Sequence, residues 1–121
     1  MEWLFRGYDA TGQKGWVYGD LVHNKKCNRD EPYLTDRVMV GGYEVHPKSV
    51  GLWTGLYDMN DTKIFEGDIL CDKLISIMDN ECKRPVVYNQ IFGQFVVDCG
   101  DNTFCPIASE FVEVVGKVFE G

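Results

Sequence analysis

The stretch Leu52-Trp53-Thr54-Gly55-Leu56-Tyr57-Asp58-Met59-Asn60-Asp61-Thr62-Lys63-Ile64-Phe65-Glu66-Gly67-Asp68-Ile69-Leu70-Cys71 decides the fold class. Short runs of β-formers alternate in it with turn formers. Leu52–Leu56 reads as a strand, Asp58–Thr62 as an Asx-rich turn, Lys63–Phe65 as the returning strand. Glu66-Gly67-Asp68 is a second turn, and Ile69-Leu70-Cys71 opens a further strand. Strands at this spacing predict a small β-barrel or a strongly bent antiparallel sheet.

The same punctuation extends in both directions. Upstream, Val38-Met39-Val40, Gly41-Gly42 and Tyr43-Glu44-Val45 form a hairpin signal, because a Gly-Gly pair suits the turns that match strand twist. Near the start, Trp3 to Arg6 alternates, Asp9-Ala10-Thr11-Gly12-Gln13 is turn chemistry, and Trp16-Val17-Tyr18 returns. Downstream, Pro85–Tyr88 and Gln94–Asp98 are β-rich and joined through Gly93. Ser109-Glu110-Phe111 opens a short helical turn, and Val112–Phe119 reads as a last strand bent at Gly116. Residues 72–84 fit a helix face (Leu74, Ile75, Met78) and a strand (Ile75, Ile77) equally well, which keeps α+β as the alternative to a mainly β fold with at most short helical turns. Residues 23–36 are polar and broken, and read as a long loop that is either mobile or functional.

The chain has 121 residues, 45% hydrophobic and 13% aromatic, which suits one globular domain spanning 1–121. No linker composition divides it. Thirteen glycines agree with many turns. Twelve basic against nineteen acidic residues give a net charge of −7, and the overall field then repels phosphate backbones. The best candidate for a local basic patch is Lys25, Lys26 and Arg29 with His23 beside them, a candidate binding loop whose commoner reading is a solvated one. Met1 to Arg6 lacks a basic lead and an apolar run, and no stretch is long enough to span a membrane as a helix. The expectation is a cytoplasmic protein with no membrane partner.

Five cysteines, Cys27, Cys71, Cys82, Cys99 and Cys105, form no Cys-x-x-Cys. Without a secretory signal the expectation is reduced thiols, several of them buried. His23 with Cys27 has helical spacing, and Cys99 with Cys105 can face across a hairpin. Neither pair has the usual zinc-knuckle form, so no metal and no cofactor is expected. Asp58-x-Asn60-Asp61 begins like a calcium loop, but Lys63 stands at the glycine position and Ile69 at the final carboxylate position. An Asx turn is the better reading. Glu66 and Asp68 are the candidate acid–base pair, with His46 as the third group, against the reading in which carboxylates at a tight turn cap backbone amides. No nucleophile elbow, zinc-binding His-Glu-x-x-His or phosphate-binding glycine loop occurs.

Phe5-Arg6-Gly7-Tyr8-Asp9 and Trp16-Val17-Tyr18-Gly19 resemble the opening of the YopX family of phage and prophage proteins. The stronger block is Val50–Asp58 followed by Lys63–Ile69, where the family has Thr-Gly-Leu, an Asp, a turn, then a bulky pair leading into Glu-Gly-Asp and an aliphatic residue. Here those positions are Trp53, Thr54, Gly55, Leu56, Asp58, Ile64, Phe65, Glu66, Gly67, Asp68 and Ile69. Val87-Tyr88, Gly93-x-Phe95 and Glu113–Glu120 are similar to its C-terminal end. The turn departs from the family, with Asn60-Asp61 where Asn-Gly is common. The resemblance implies a barrel-like β fold and a phage or prophage origin, and it implies no activity. The motif residues fit shared backbone geometry as well as a shared site.

Three functions follow in order. The first is a non-catalytic module binding a host or phage protein through an exposed aromatic and the 23–36 segment, or self-associating through an edge strand. The second is a nucleic-acid-binding small barrel using Lys25, Lys26 and Arg29. The third is an enzyme using Glu66 and Asp68.

Overall fold

The computed structural model describes residues 3–27, 34–73 and 83–119. Among them are twelve strands, all paired antiparallel, and two 3-10 turns of three residues each. The mainly β expectation is met. The strands group into two compact units, Glu2–Leu52 and Trp53–Glu120.

The first unit contains β1 (Phe5–Tyr8), β2 (Trp16–Gly19), β3 (Leu21–Cys27), β4 (Leu34–Val40) and β5 (Tyr43–Glu44). Pro47–Ser49 is a 3-10 turn, and β6 (Gly51–Tyr57) starts here. The β1–β2 hairpin pairs Phe5 with Gly19 and Tyr8 with Trp16. Its turn is closed by Asp9, whose carboxylate accepts from the backbone N–H of Thr11 and Lys14 and from the Thr11 hydroxyl. Those amides hold the Asp9 carboxyl below its ordinary range. Val17, Val38, Val40 and Val45 form the core, with Phe5, Leu21 and Val50 packed on it. Gly7 of β1 lies so close to Val45 that an added Cβ would sit 2.8 Å from its side chain.

The expected 38–45 hairpin is present, with Val40 paired to Tyr43. Gly41 and Gly42 have φ of 58° and 86°, the left-handed pair that a type I′ turn requires.

The 23–36 segment is not one long loop. β3 and β4 pair from Leu21↔Val40 to Cys27↔Leu34, and the strand hydrogen-bonding therefore runs through His23, Lys25 and Lys26. Leu21 and Val22 opposite Val40 and Met39 anchor the open end of the ladder, and each further pair toward Cys27↔Leu34 closes a shorter loop. Residues 28–33, including Arg29, lie outside the described residues.

The second unit takes β6 onward from Trp53, with β7 (Lys63–Phe65), β8 (Asp68–Asp72), β9 (Lys83–Asn89), β10 (Gln94–Asp98), β11 (Phe104–Pro106) and β12 (Val112–Lys117). β6 and β7 pair as Trp53↔Phe65 and Tyr57↔Lys63, with a register shift between. Five strands form one sheet in the order β11-β10-β9-β8-β12. It ends in β11 on one side and β12 on the other, and no closed barrel occurs among the described residues. The anticipated bend in the last strand is a bulge between Val114 and Gly116 opposite β8. Ser109–Phe111 forms the expected helical turn. The helix-or-strand question over Leu74, Ile75, Ile77 and Met78 falls on residues outside the described ones.

Ile64, Leu70, Val86, Val97 and Val112 make the second core, joined by Phe95, Ile107 and Val114. Burying each such side chain contributes roughly 1.5–3 kcal/mol. Cys71 is also buried, but it is disulfide-bonded. That corrects the reduced-thiol expectation for this residue.

Candidate functional site

The motif residues converge on one turn system inside the second unit. Asp58 is 5% exposed. One of its carboxylate oxygens accepts from Asn60 N (2.8 Å) and Thr62 N (2.9 Å), and the other from Val114 N on β12 (2.9 Å). Burial pushes the Asp58 carboxyl up, but the three amides outweigh it and hold it below the ordinary value. Met59 N also donates to Val112 O. The β6–β7 turn is thereby docked on β12, and the Asp58 oxygens that a cation-binding loop would have to leave free are taken by backbone amides.

Thr54 and Trp53 hold the strand before that turn. The Thr54 hydroxyl donates to Ile64 O and accepts from Leu56 N. The Trp53 indole donates to Leu56 O, and its ring meets Tyr57 edge-on at 5.5 Å. Lys63 Nζ stands 5.3 Å from the Trp53 ring centroid and 5.4 Å from that of Tyr57, a cation–π arrangement. Ile64 and Phe65 are core residues. Asp68 is 1% exposed and takes the Phe65 N–H on Oδ2 at 2.8 Å. Gly67 donates to Val86 O and accepts from Val118 N, which ties the Glu66-Gly67-Asp68 turn to β9 and to the end of β12. Ile69 is half-buried on β8, opposite Pro85.

Glu66 is half-buried, and burial raises its carboxyl above the ordinary range. Its charged form is therefore disfavoured in the folded chain. The effect on stability is nil below the unfolded pKa near 4.3 and grows as a penalty as pH rises through the folded value. Glu66→Gln is expected to be more stable than wild type at neutral pH, with the gap closing toward pH about 4. Thermal melts at both pH values check this, and an equal gap at both would refute it. His46, the third acid–base candidate, belongs to the first unit and stacks on Tyr8 with centroids 6.3 Å apart.

The model matching residues 4–121 of the chain is that of the YopX protein family. The chain belongs to the YopX family. A solved structure with a similar fold is protein EF1440 from Enterococcus faecalis, at 20% identity and a TM-score of 0.56, covering 98% of this chain and 94% of that one. No curated protein matches. In this YopX chain the block that carries the family pattern is also the block whose polar atoms fix the β6–β7 and β7–β8 turns.

The basic cluster is distributed differently from the expected loop. His23 is exposed on β3 opposite Val38, while Lys25 and Lys26 are registered against Asp36 and Thr35.

One surface feature escaped the sequence reading. β9 and β10 form a hairpin in which Asn89 pairs with Gln94 and Tyr88 with Phe95. Its four-residue tip carries Ile91 at 89% and Phe92 at 66% exposure. Asn89 Oδ1 accepts from Ile91 N (2.9 Å) and Phe92 N (3.1 Å), so a side chain sets the tip backbone. Below it, Tyr88 and Phe95 meet edge-on with centroids 5.1 Å apart. From Val86 to Val97 no residue is charged, in a chain that is 26% charged. The available signal was the apolar pair Ile91-Phe92 between Asn89 and Gly93, where a surface turn ordinarily carries polar residues.

Proposed function

We propose that this YopX-family chain is a non-catalytic protein-interaction module, with the β9–β10 hairpin tip as its contact element. The observation that carries the reading is the exposed Ile91-Phe92 pair on a tip whose backbone Asn89 holds in place. A preset tip loses little freedom when it docks, and an uncharged apolar centre is what protein interfaces bury. The partner is a protein offering an apolar socket. The net charge of −7 disfavours the other surfaces that take apolar tips, anionic membranes and nucleic acid. No helix among the described residues is long and apolar enough to cross a membrane. The reading includes an accessory role in a phage or prophage setting, acting in the cytoplasm of a bacterial host.

The test compares the wild-type chain with an Ile91→Ser, Phe92→Ser double variant as baits in host lysate. Both side chains are solvated, so the variant is expected to melt within about 1 kcal/mol of wild type. A stoichiometric protein retained by wild type and weakened tenfold or more by the variant supports the reading. Equal capture by both baits, or no stoichiometric protein on wild type, overturns it.

A further inference from the structure

Cys99 and Cys105 stand on either side of the β10–β11 hairpin connection, with their sulfurs 3.0 Å apart. The connection is closed by Cys99 N to Thr103 O and Thr103 N to Gly100 O. Asp101 and Asn102 hold left-handed backbone conformations within it. A turn of that kind sets both sulfurs on one side of the hairpin. Neither cysteine is in a disulfide, and a disulfide bond of about 2.05 Å lies roughly 1 Å of closure away.

The two sulfurs are not equivalent. Cys99 is half-buried, and its thiol donates to Cys105 Sγ and approaches Val97 O. That hydrogen bond, with burial, raises the Cys99 thiol above its ordinary range. Cys105 is exposed, and its sulfur is the acceptor. A sulfur that is open to solvent and accepts a hydrogen bond is the one suited to attack. Both cysteines line a cavity of about 160 Å³. Leu70, Val97 and Val112 give it apolar walls, and Arg84 stands at it with them. Among the described residues no group of three or more metal-ligating side chains gathers, so the geometry favours sulfur–sulfur chemistry over a closed metal site.

We propose that Cys99 and Cys105 are a reactive dithiol, oxidised by small disulfides to an intramolecular Cys99–Cys105 disulfide on the rim of this cavity. In the first step the Cys105 thiolate attacks one sulfur of the small disulfide. The bond between its sulfurs breaks, Cys105 becomes a mixed disulfide, and one small thiolate leaves and takes up the proton that Cys105 released. In the second step Cys99 gives up its proton and attacks the Cys105 sulfur. The mixed disulfide breaks, the Cys99–Cys105 bond forms, and the second small thiolate leaves with the Cys99 proton. Two electrons pass from the protein to the small disulfide, which becomes two thiols.

The experiment treats the full chain with oxidised glutathione, quenches by alkylation and maps the peptides by mass. Wild type is expected to yield a linked Cys99–Cys105 peptide, two hydrogens lighter than the dithiol, with no lasting glutathione on either cysteine. Cys99→Ser is expected to retain one glutathione on Cys105. Cys105→Ser is expected to acquire glutathione at Cys99 about tenfold or more slowly than that. The peptide containing Cys71 separates by mass, so its own disulfide does not enter the result. Wild-type protein that gives no linked peptide, or that keeps glutathione on either cysteine, overturns the proposal. So do equal adduct rates in the two variants. The wild-type map needs no substitution and stands even where a variant folds poorly.

Discussion

Replacing Asp58 by alanine is expected to cost about 4 kcal/mol of folding stability, measured by chemical denaturation at neutral pH. The carboxylate serves three backbone amides at once, two in its own turn and Val114 N fifty-six residues away. Hydrogen bonds to a charged acceptor each contribute about 1.5–3 kcal/mol, and removing the acceptor leaves buried donors unmet. The local amides of Asn60 and Thr62 regain some water in the variant, which keeps the total below the simple sum. Asp58→Asn is expected to fall between, at about 2 kcal/mol, because its amide retains one oxygen but turns an N–H toward the Val114 N–H. A loss under about 1 kcal/mol for the alanine variant would show that the docking of the β6–β7 turn on β12 does not depend on this carboxylate.

The same residue fixes a pH dependence. Its folded pKa is depressed, so its contribution is complete above the unfolded value near 3.9 and is lost as pH falls through the lower folded value. The stability gap between wild type and Asp58→Ala is therefore expected to narrow in acid. Glu66 runs the opposite way, since burial raises its carboxyl. Two carboxylates of the same family block thus carry opposite signs. The difference is three amides aimed at one of them, and it is not visible in the pattern of residue types.

What the sequence disclosed and what it hid divide along physical lines. Gly41-Gly42 was readable because only left-handed backbone suits that hairpin, and both residues adopt it. The Asp58 turn was readable because an Asx side chain caps its own turn, whereas its reach to Val114 was not, because the bulge that presents that amide is a tertiary product. β3 was hidden, since a strand of Leu-Val-His-Asn-Lys-Lys-Cys has no period-two alternation and is held by backbone pairing with β4. The boundary between the two compact units falls inside β6, where no linker composition marks it. Cys99 and Cys105 were readable as hairpin neighbours from their spacing across a turn. The Cys71 disulfide was not, because a pairing depends on how the fold brings separate parts of the chain together. Ile91 and Phe92 look like ordinary core residues until the β9–β10 register leaves them at the tip.

Gly41→Ala is expected to destabilise the chain by about 3 kcal/mol or more, while Gly42→Ala, one residue on, costs only about 1 kcal/mol. Both glycines occupy left-handed backbone in the same turn, so the penalty for placing a Cβ there is shared. The surroundings differ. A Cβ on Gly41 would lie 2.5 Å from the backbone oxygen of Tyr18, whereas one on Gly42 meets nothing within 4 Å. Backbone cannot swing aside as a side chain can. Relief would require β2 to move away from the β4–β5 turn, and Gly19 already sits there with its own Cβ position 2.7 Å from Gly41 Cα. Moving β2 would also disturb the packing of Val17 beside Val38 and Val40. Denaturation of the two single variants separates the terms, because subtracting the Gly42 result from the Gly41 result leaves the steric part alone. Equal losses would mean that the turn conformation, not the close approach of β2, makes Gly41 necessary.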